Sequence, residues 1–263
     1  MIFFDTNELF KNFGGSINAS SSTSLAPFAF DEDRKFSWIT SGEGTDGTAV
    51  YLERILPITV SINAIFIQST NIENITIEVD LGAGYVALSS ATTFTLIKSE
   101  NGETYYYELD SAISIDKIKI NGSDTIIPNE EKRIAQVLGF QKLGVIEDFD
   151  DIKPKRTRVQ IVNKLSTGKN DIINMGISWD FKVKLKSHYK EADQQIITDI
   201  LERDKETWVW FNNNLENIQV MTAEPFRFND IYKVVFEKSD STKYDDNMWF
   251  SGLDTTFNFK EVA

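Results

Sequence analysis

One histidine, His188, and no cysteine stand among the 263 residues. Disulfides, thiolate metal sites and cysteine nucleophiles are thereby excluded. His188 has Ser187 and Tyr189 beside it and Lys186 and Lys190 flanking, just before a segment of helical spacing. A catalytic triad needs a nucleophile, a base and an orienting carboxylate brought together by the fold, and no serine here lies in a G-x-S-x-G elbow. His188 reads as a capping or surface residue, and the chain as a protein that is not an enzyme.

Carboxylates are plentiful, with pairs at Asp31/Asp33, Glu43/Asp46, Asp148/Asp150/Asp151 and Asp245/Asp246. Glycosidase chemistry needs two of them across a cleft at a set separation, which sequence spacing does not show. Among 40 acidic residues such pairs arise freely, and the default reading is solvated turns. The first two pairs stand out because they flank Trp38 in the glycine-rich run FDEDRKFSW…SGEGTDGT. Hard oxygen ligands could gather there round a structural Ca²⁺, although the spacing is not that of an EF-hand. SGEGTDGT has neither the lysine of a P-loop nor a dinucleotide fingerprint. Tyr105, Tyr106 and Tyr107 alternate across a strand, so one or two belong to a core; Trp208 and Trp210 read as core or subunit contacts before binding platforms.

The net charge of -13 opposes nucleic acid and anionic lipid at long range. Basic residues gather only at Lys153, Lys155, Arg156 and Arg158, after the acidic EDFDD, which reads as a solvated hinge before an anion site. No apolar run approaches the roughly 20 residues of a transmembrane helix, and MIFFDTNELF lacks the features of a signal peptide. These features predict a cytoplasmically made protein with no nucleic-acid or membrane partner and no cofactor beyond that structural Ca²⁺.

The elements read as mainly β. Residues 1–29, with the polar run NFGGSINASSSTS, are too poor in apolar side chains to order alone and are expected as an arm laid on this chain or a neighbour. Ile75, Ile77, Val79 and Leu81 alternate with Thr76, Glu78 and Asp80, as in a half-buried strand. Asn101-Gly102 between ATTFTLIKSE and ETYYYELD signals a hairpin, and Gly82-Ala-Gly84 and Asn121-Gly122 suit tight turns. Closely spaced strands of this kind indicate a sandwich or barrel. Composition shifts at EDFDDIKPK, which sets a domain boundary between about 145 and 154. Beyond it GISWDFKVKL alternates without fault, Ala192, Ile196, Ile197, Ile200 and Leu201 share one face of a helix over about 189–204, and two more alternating strands follow.

Two resemblances follow from these residues. Over 30–146 the chain resembles the discoidin or galactose-binding-like β-sandwich, through FDEDRKFSW, the strands INAIFIQSTN and NITIEVDLG with Asn71 closing the first, IDKIKIN, and KRIAQVLGFQKLG. That resemblance implies ligands, often glycans, on loops at one end, with Asp31, Asp33, Glu43, Asp46 and Asn71 as the loop candidates, and often a structural calcium. Over 147–263 the pattern of RVQIVNKLSTGK, ISWDFKVKLKS, the helix with WVWFNNN, FRFNDIYKVVFE and LDTTFNFKEV is similar to β-domains of tailed-phage structural proteins. Such domains join rings by sheet edges and arms. Together they imply an N-terminal sandwich and a C-terminal β-domain with one flanking α-helix, in a structural component of a phage or phage-like tail or baseplate. It would self-associate in a ring with other tail proteins, be assembled in the host cytoplasm, and touch host-surface glycans. The alternative is a non-enzymatic carbohydrate-binding module of a bacterial surface or secreted protein.

Overall fold

The computed structural model describes residues 1–10, 14–33, 35–88, 96–101, 104–146, 149–164, 170–185, 196, 199–200, 206–211, 231–236 and 256–261. The fold is mainly β and divides into two compact units, Thr6–Lys142 and Met1–Asp5 with Leu143–Ala263. The first strand, β1 (Ile2–Phe4), belongs to the sheet of the second unit.

The unit Thr6–Lys142 contains β2 (Ser16–Ala19), β3 (Trp38–Ile39), β4 (Val50–Gln68), β5 (Ile75–Asp80), β6 (Tyr85–Ala87), β7 (Leu96–Asn101), β8 (Thr104–Gly122), β9 (Arg133–Ile134) and β10 (Gln136–Phe140). The two long strands β4 and β8 pair antiparallel from Val50↔Gly122 to Ile67↔Tyr105. One end of the pair is widened by β2 on β4 and by β5 and β6 beyond β8; the other end is widened by β10 on β4 and β7 on β8. Register breaks between Ile55 and Val60 and between Ile62 and Ala64 separate the halves, and such irregularities bend a strand and sharpen its twist. Both halves contribute to one core: Leu52, Ile77, Val79 and Ile118 from one, Ile65, Ile67, Tyr107 and Val137 from the other. Two sheet halves facing a shared apolar layer make a β-sandwich.

Alternation of side chains explains the burial. Val50, Leu52, Arg54 and Leu56 point inward while Tyr51 is exposed and Glu53 and Ile55 are half-buried. Tyr105 and Tyr107 join the core, whereas Tyr106 packs on Phe66 with ring centroids 4.7 Å apart, so all three are buried. The 3-10 turn Ala26–Phe30 and the buried Trp38 close one end, and the indole N–H of Trp38 donates to the Ser21 carbonyl at 3.0 Å. Asn121-Gly122, expected as a turn, instead completes β8. A Cβ on Gly122 would stand 2.7 Å from Ile72 Cγ2, so the glycine serves close packing there.

The second unit is a seven-stranded sheet with β11 (Lys142–Val145), β12 (Phe149–Lys164), β13 (Asn170–Leu185), β14 (Thr207–Trp210), β15 (Ile231–Phe236) and β16 (Thr256–Glu261) in the order β11-β1-β14-β15-β16-β13-β12. Met1, Phe3, Ile146, Phe181, Val183, Val209, Phe211, Tyr232 and Val234 form its core. Phe181 lies 4.7 Å from Phe211 and 5.0 Å from Tyr232 between ring centroids. Residues 1–29, expected as one arm, are divided. β1 pairs with β14 through Ile2↔Trp210 and Phe4↔Trp208, and β2 pairs with β4. The apolar triplet Ile2-Phe3-Phe4 accounts for this, since it buries against the aromatic strand TWVW. Of the helix expected over about 189–204, Ile196, Asp199 and Ile200 are helical and the rest lies outside the described residues, as does His188.

Among the described glycines, Gly15 is the most closely approached. Its φ is +77°, and a Cβ there would meet the Ile55 carbonyl oxygen at 2.1 Å; Gly42 shares the same φ but has nothing within 4 Å. Gly15→Ala is expected to cost about 3 kcal/mol in urea unfolding, because left-handed strain and a backbone collision add, whereas Gly42→Ala should cost about 1 kcal/mol. Equal losses would show that the collision is relieved.

Candidate binding face

Five strands, β2, β4, β8, β5 and β6, present one outward face in register. A row of side chains crosses it through Asn18↔Glu53, Glu53↔Lys119 and Lys119↔Glu78. On one side of that row stand Tyr51↔Asn121, and on the other Lys117↔Asp80 and Asp80↔Tyr85. The residues alternate with the inward apolar set, so the strands that build the core also aim these groups at solvent.

The face is densely hydrogen-bonded. Asn18 Nδ2 donates to Glu53 Oε2 at 2.6 Å, and the Tyr85 hydroxyl donates to Glu53 Oε1. Asn121 Nδ2 donates to Glu78 Oε2 at 2.9 Å, with Lys119 Nζ 3.7 Å from the same oxygen. Lys117 Nζ donates to Asp80 Oδ2 at 2.8 Å. The Lys119 ammonium stands 5.1 Å from the Tyr51 ring centroid and 5.7 Å from that of Tyr85, with Lys117 also 5.7 Å from Tyr85; these distances fall within cation–π range. Tyr85 is carried by a turn that Asp80 closes, its Oδ1 accepting from the backbone N–H of Gly82 at 2.9 Å and of Gly84 at 3.0 Å. Gly82 and Gly84 have φ of +93° and +110°, which a side chain would resist.

Charge states follow from these contacts. Burial works to raise the Glu53 carboxyl, yet the Tyr85 and Asn18 hydrogen bonds and the Lys119 and Lys117 charges outweigh it and hold the group below its ordinary value. Burial, then the Glu53 hydrogen bond and neighbouring carboxylates, pushes the Tyr85 hydroxyl up. At neutral pH Glu53 is therefore an acceptor and Tyr85 a donor. Between β2 and β4, Asn18, Ala19, Thr23, Tyr51, Glu53 and Lys119 line an open pocket of about 460 Å³. It offers a partly exposed tyrosine, a carboxylate, an amide and an ammonium.

The five loop residues expected as ligand contacts lie elsewhere and have internal partners. Asp31 Oδ1 accepts from Asp33 N at 2.9 Å, and Asp33 Oδ1 from Lys35 N at 3.0 Å. Glu43 Oε2 accepts from the hydroxyls of Ser20 and Ser21 at 2.9 and 2.6 Å. Asp46 Oδ1 accepts from the Thr125 hydroxyl at 3.0 Å and from Asn129 N at 3.3 Å. Asn71 accepts from Arg133 N at 2.8 Å and donates to the Glu131 carbonyl at 2.9 Å. The Asp46 bonds, with the one that Gly47 N donates to Asp124 Oδ1 at 2.8 Å, lace the loop 41–47 to the stretch 124–133. Within that lacing the fully buried Lys132 donates from Nζ to the carbonyls of Glu43 at 2.6 Å and Thr45 at 3.0 Å. The arrangement does not fit a calcium ion. An ammonium already holds the loop carbonyls, and no three His, Cys, Asp or Glu among the described residues gather as a metal site. Glu131 completes the loop by accepting from the Thr40 hydroxyl at 2.6 Å and Gly42 N at 2.9 Å, and the Thr40 bond leads the influences holding its carboxyl below the ordinary value.

Tyr51, Glu53, Lys119, Asn18 and Tyr85 were not singled out from sequence. The usable signal lay in VYLERI and IDKIKIN, whose outward positions carry Tyr51, Glu53, Lys117, Lys119 and Asn121 between buried aliphatics. The basic cluster 153–158 lies on β12, where Lys155 is exposed.

No protein-family model matches the chain, and no curated protein does. Similar solved structures include the family 32 carbohydrate-binding module of Clostridium perfringens NanJ in complex with galactose, at 18% identity over 54% of this chain and 100% of that one, with a TM-score of 0.41. Another is a C. perfringens module in complex with GalNAc-β-1,3-galactose, at 15% identity over 48% of this chain and 94% of that one, with a TM-score of 0.38. A third is chitosan-binding module 1 of a Paenibacillus sp. IK-5 chitosanase/glucanase, at 15% identity over 51% of this chain and 98% of that one, with a TM-score of 0.37.

Replacing Lys132 by methionine strips two loop carbonyls of their donor. Lys132→Met is expected to lower stability by about 2 kcal/mol, while EDTA or added Ca²⁺ leaves the melting temperature of the unmodified chain unchanged. Calorimetry checks both, and a fall in melting temperature on chelation would contradict the reading of Lys132 as the internal cation.

Proposed function

We propose that the unit Thr6–Lys142 is a non-catalytic carbohydrate-binding module, and that it holds its ligand on the outward sheet face. The observation that carries this reading is the pocket at Tyr51, where an exposed aromatic ring stands among Asn18, Glu53 and Lys119. A sugar binds by laying the apolar face of its ring on an aromatic surface while its hydroxyls bridge fixed donors and acceptors, and this face supplies both at once. Glu53, with both oxygens hydrogen-bonded, is placed to orient a hydroxyl and not to transfer a proton. Isothermal titration of the whole chain against a panel of neutral saccharides tests the idea. Binding should be lost at least 10-fold in Tyr51→Ala, with the fold retained by circular dichroism. Undiminished binding in that variant would remove the site from consideration.

A second reading, a structural component of a phage-like tail or baseplate, is favoured by one observation in the other unit. β13 pairs with β12 over Asn170–Leu185 but meets β16 only at 180–184. Residues 157–164 and 170–178 therefore form a two-stranded ribbon with no further strand on either edge among the described residues. Open edges are places where another chain can add a strand. In this reading the ribbon joins copies into a ring within a particle, and the sandwich is displayed to host glycans. Light scattering on the whole chain should then give a closed oligomer that dissociates when 160–174 is removed, and a monomer at high concentration would sink the assembly role.

A further inference from the structure

We infer that the outward face takes a neutral oligosaccharide spanning at least two consecutive rings, one on Tyr51 and the next on Tyr85. This deepens, and rests on, the reading of that face as a sugar site. Tyr85 lies outside the pocket at Tyr51, yet it is 38% exposed and turned across the sheet, since its hydroxyl reaches Glu53 on β4 although its own strand is β6. Its ring and that of Tyr51 both lie against the one Lys119 ammonium, at 5.7 and 5.1 Å, so the two aromatic surfaces are neighbours on a single floor. On the same floor the Asn121 amide and Glu78 carboxylate form a second pair at 2.9 Å, beside the Asn18 and Glu53 pair at 2.6 Å. The face thus carries two aromatic rings and two amide–carboxylate pairs within one hydrogen-bonded array.

Neutrality follows from how the charges are already spent. Lys117 is paired with Asp80 at 2.8 Å, Lys119 with Glu78 at 3.7 Å, and Glu53 accepts from both Tyr85 and Asn18. A charged ligand would have to break one of these pairs and leave its other member exposed to a like charge. A hydroxyl instead donates to the carboxylate and accepts from the ammonium of the same pair, and leaves the pair intact. The Asp80 turn fixes where Tyr85 stands, so little ordering is required when a ligand arrives.

Titrations of the whole chain with glucose, galactose and mannose, with neutral tetrasaccharides built from each, and with an oligogalacturonate test the inference. The expected result is that one neutral tetrasaccharide binds at least 10-fold more tightly than its monosaccharide, with little change between 50 and 500 mM salt. Read as the ratio of tetrasaccharide to monosaccharide affinity within each variant, that gain should be erased by Tyr85→Ala and largely retained by Tyr85→Phe, which keeps the ring but loses the bond to Glu53. If monosaccharides bind in a Tyr51-dependent manner but the tetrasaccharides gain nothing, or Tyr85→Ala keeps the gain, the two-ring inference is overturned and the sugar reading stands. Tighter, salt-sensitive binding of oligogalacturonate overturns neutrality. No binding by any saccharide removes both the inference and the function on which it rests.

Discussion

The antiparallel pairing of β4 with β8 is the constraint on which the first unit depends. Each strand contributes 19 residues, and their ladder supplies the inner pair of both halves of the sandwich. Because side chains alternate, one registration decides at a stroke which residues enter the core and which face outward. A slip of one residue would exchange Leu52 and Ile120 for Glu53 and Lys119, burying charge and exposing aliphatics. The strand residues of the outward face are therefore held in place by the cost of unburying Leu52, Ile77, Val79, Ile118 and Ile120.

Polar contacts then refine what the ladder positions. At the loop end, Asp46, Asp124, Glu131 and Lys132 tie 41–47 to 124–133 through side-chain bonds to backbone groups, which compensates for a stretch with no ladder of its own beyond the short β3–β9 pair. On the sheet face, side chains bond mostly to one another across strands, as Asn18 with Glu53 and Asn121 with Glu78 do. The first arrangement consumes its donors and acceptors in holding the chain; the second leaves ring surfaces and paired charges available to water. This contrast is why the sheet face, and not the carboxylate-rich loop, is the better candidate for a ligand.

The parts of the fold legible in sequence were those written in local periodicity. ITIEVD and GISWDFKVKL alternate apolar and polar residues and are strands, and TYYYELD lies in β8 paired with β7 from Leu96↔Leu109 to Asn101↔Thr104. Non-local outcomes were not legible. Nothing in IFF says that it will pair with TWVW some two hundred residues away, and Asn121-Gly122 resembles a turn until Ile72 is seen to need the space. The candidate face on the sheet was not legible for a related reason. Its members are spread over β2, β4, β5, β6 and β8, and only pairing in register brings Tyr51, Glu53, Lys119 and Tyr85 together. Asp31, Asp33, Glu43 and Asp46 drew attention because they cluster along the chain, which is where turn-forming carboxylates cluster too.

β1 carries a consequence for how the chain matures. It sits beside β11 in one sheet, and the N-terminal ammonium of Met1 donates to the Ile146 carbonyl at 2.9 Å. The first unit is therefore spliced into a neighbouring strand pair, like a cassette set in a loop. During synthesis β1 precedes the sandwich and β14 follows it, so this strand pair cannot form until the whole sandwich has been made. A sandwich that folded slowly or aggregated would leave Ile2–Phe4, an apolar strand with two open edges, without its partner for all that time.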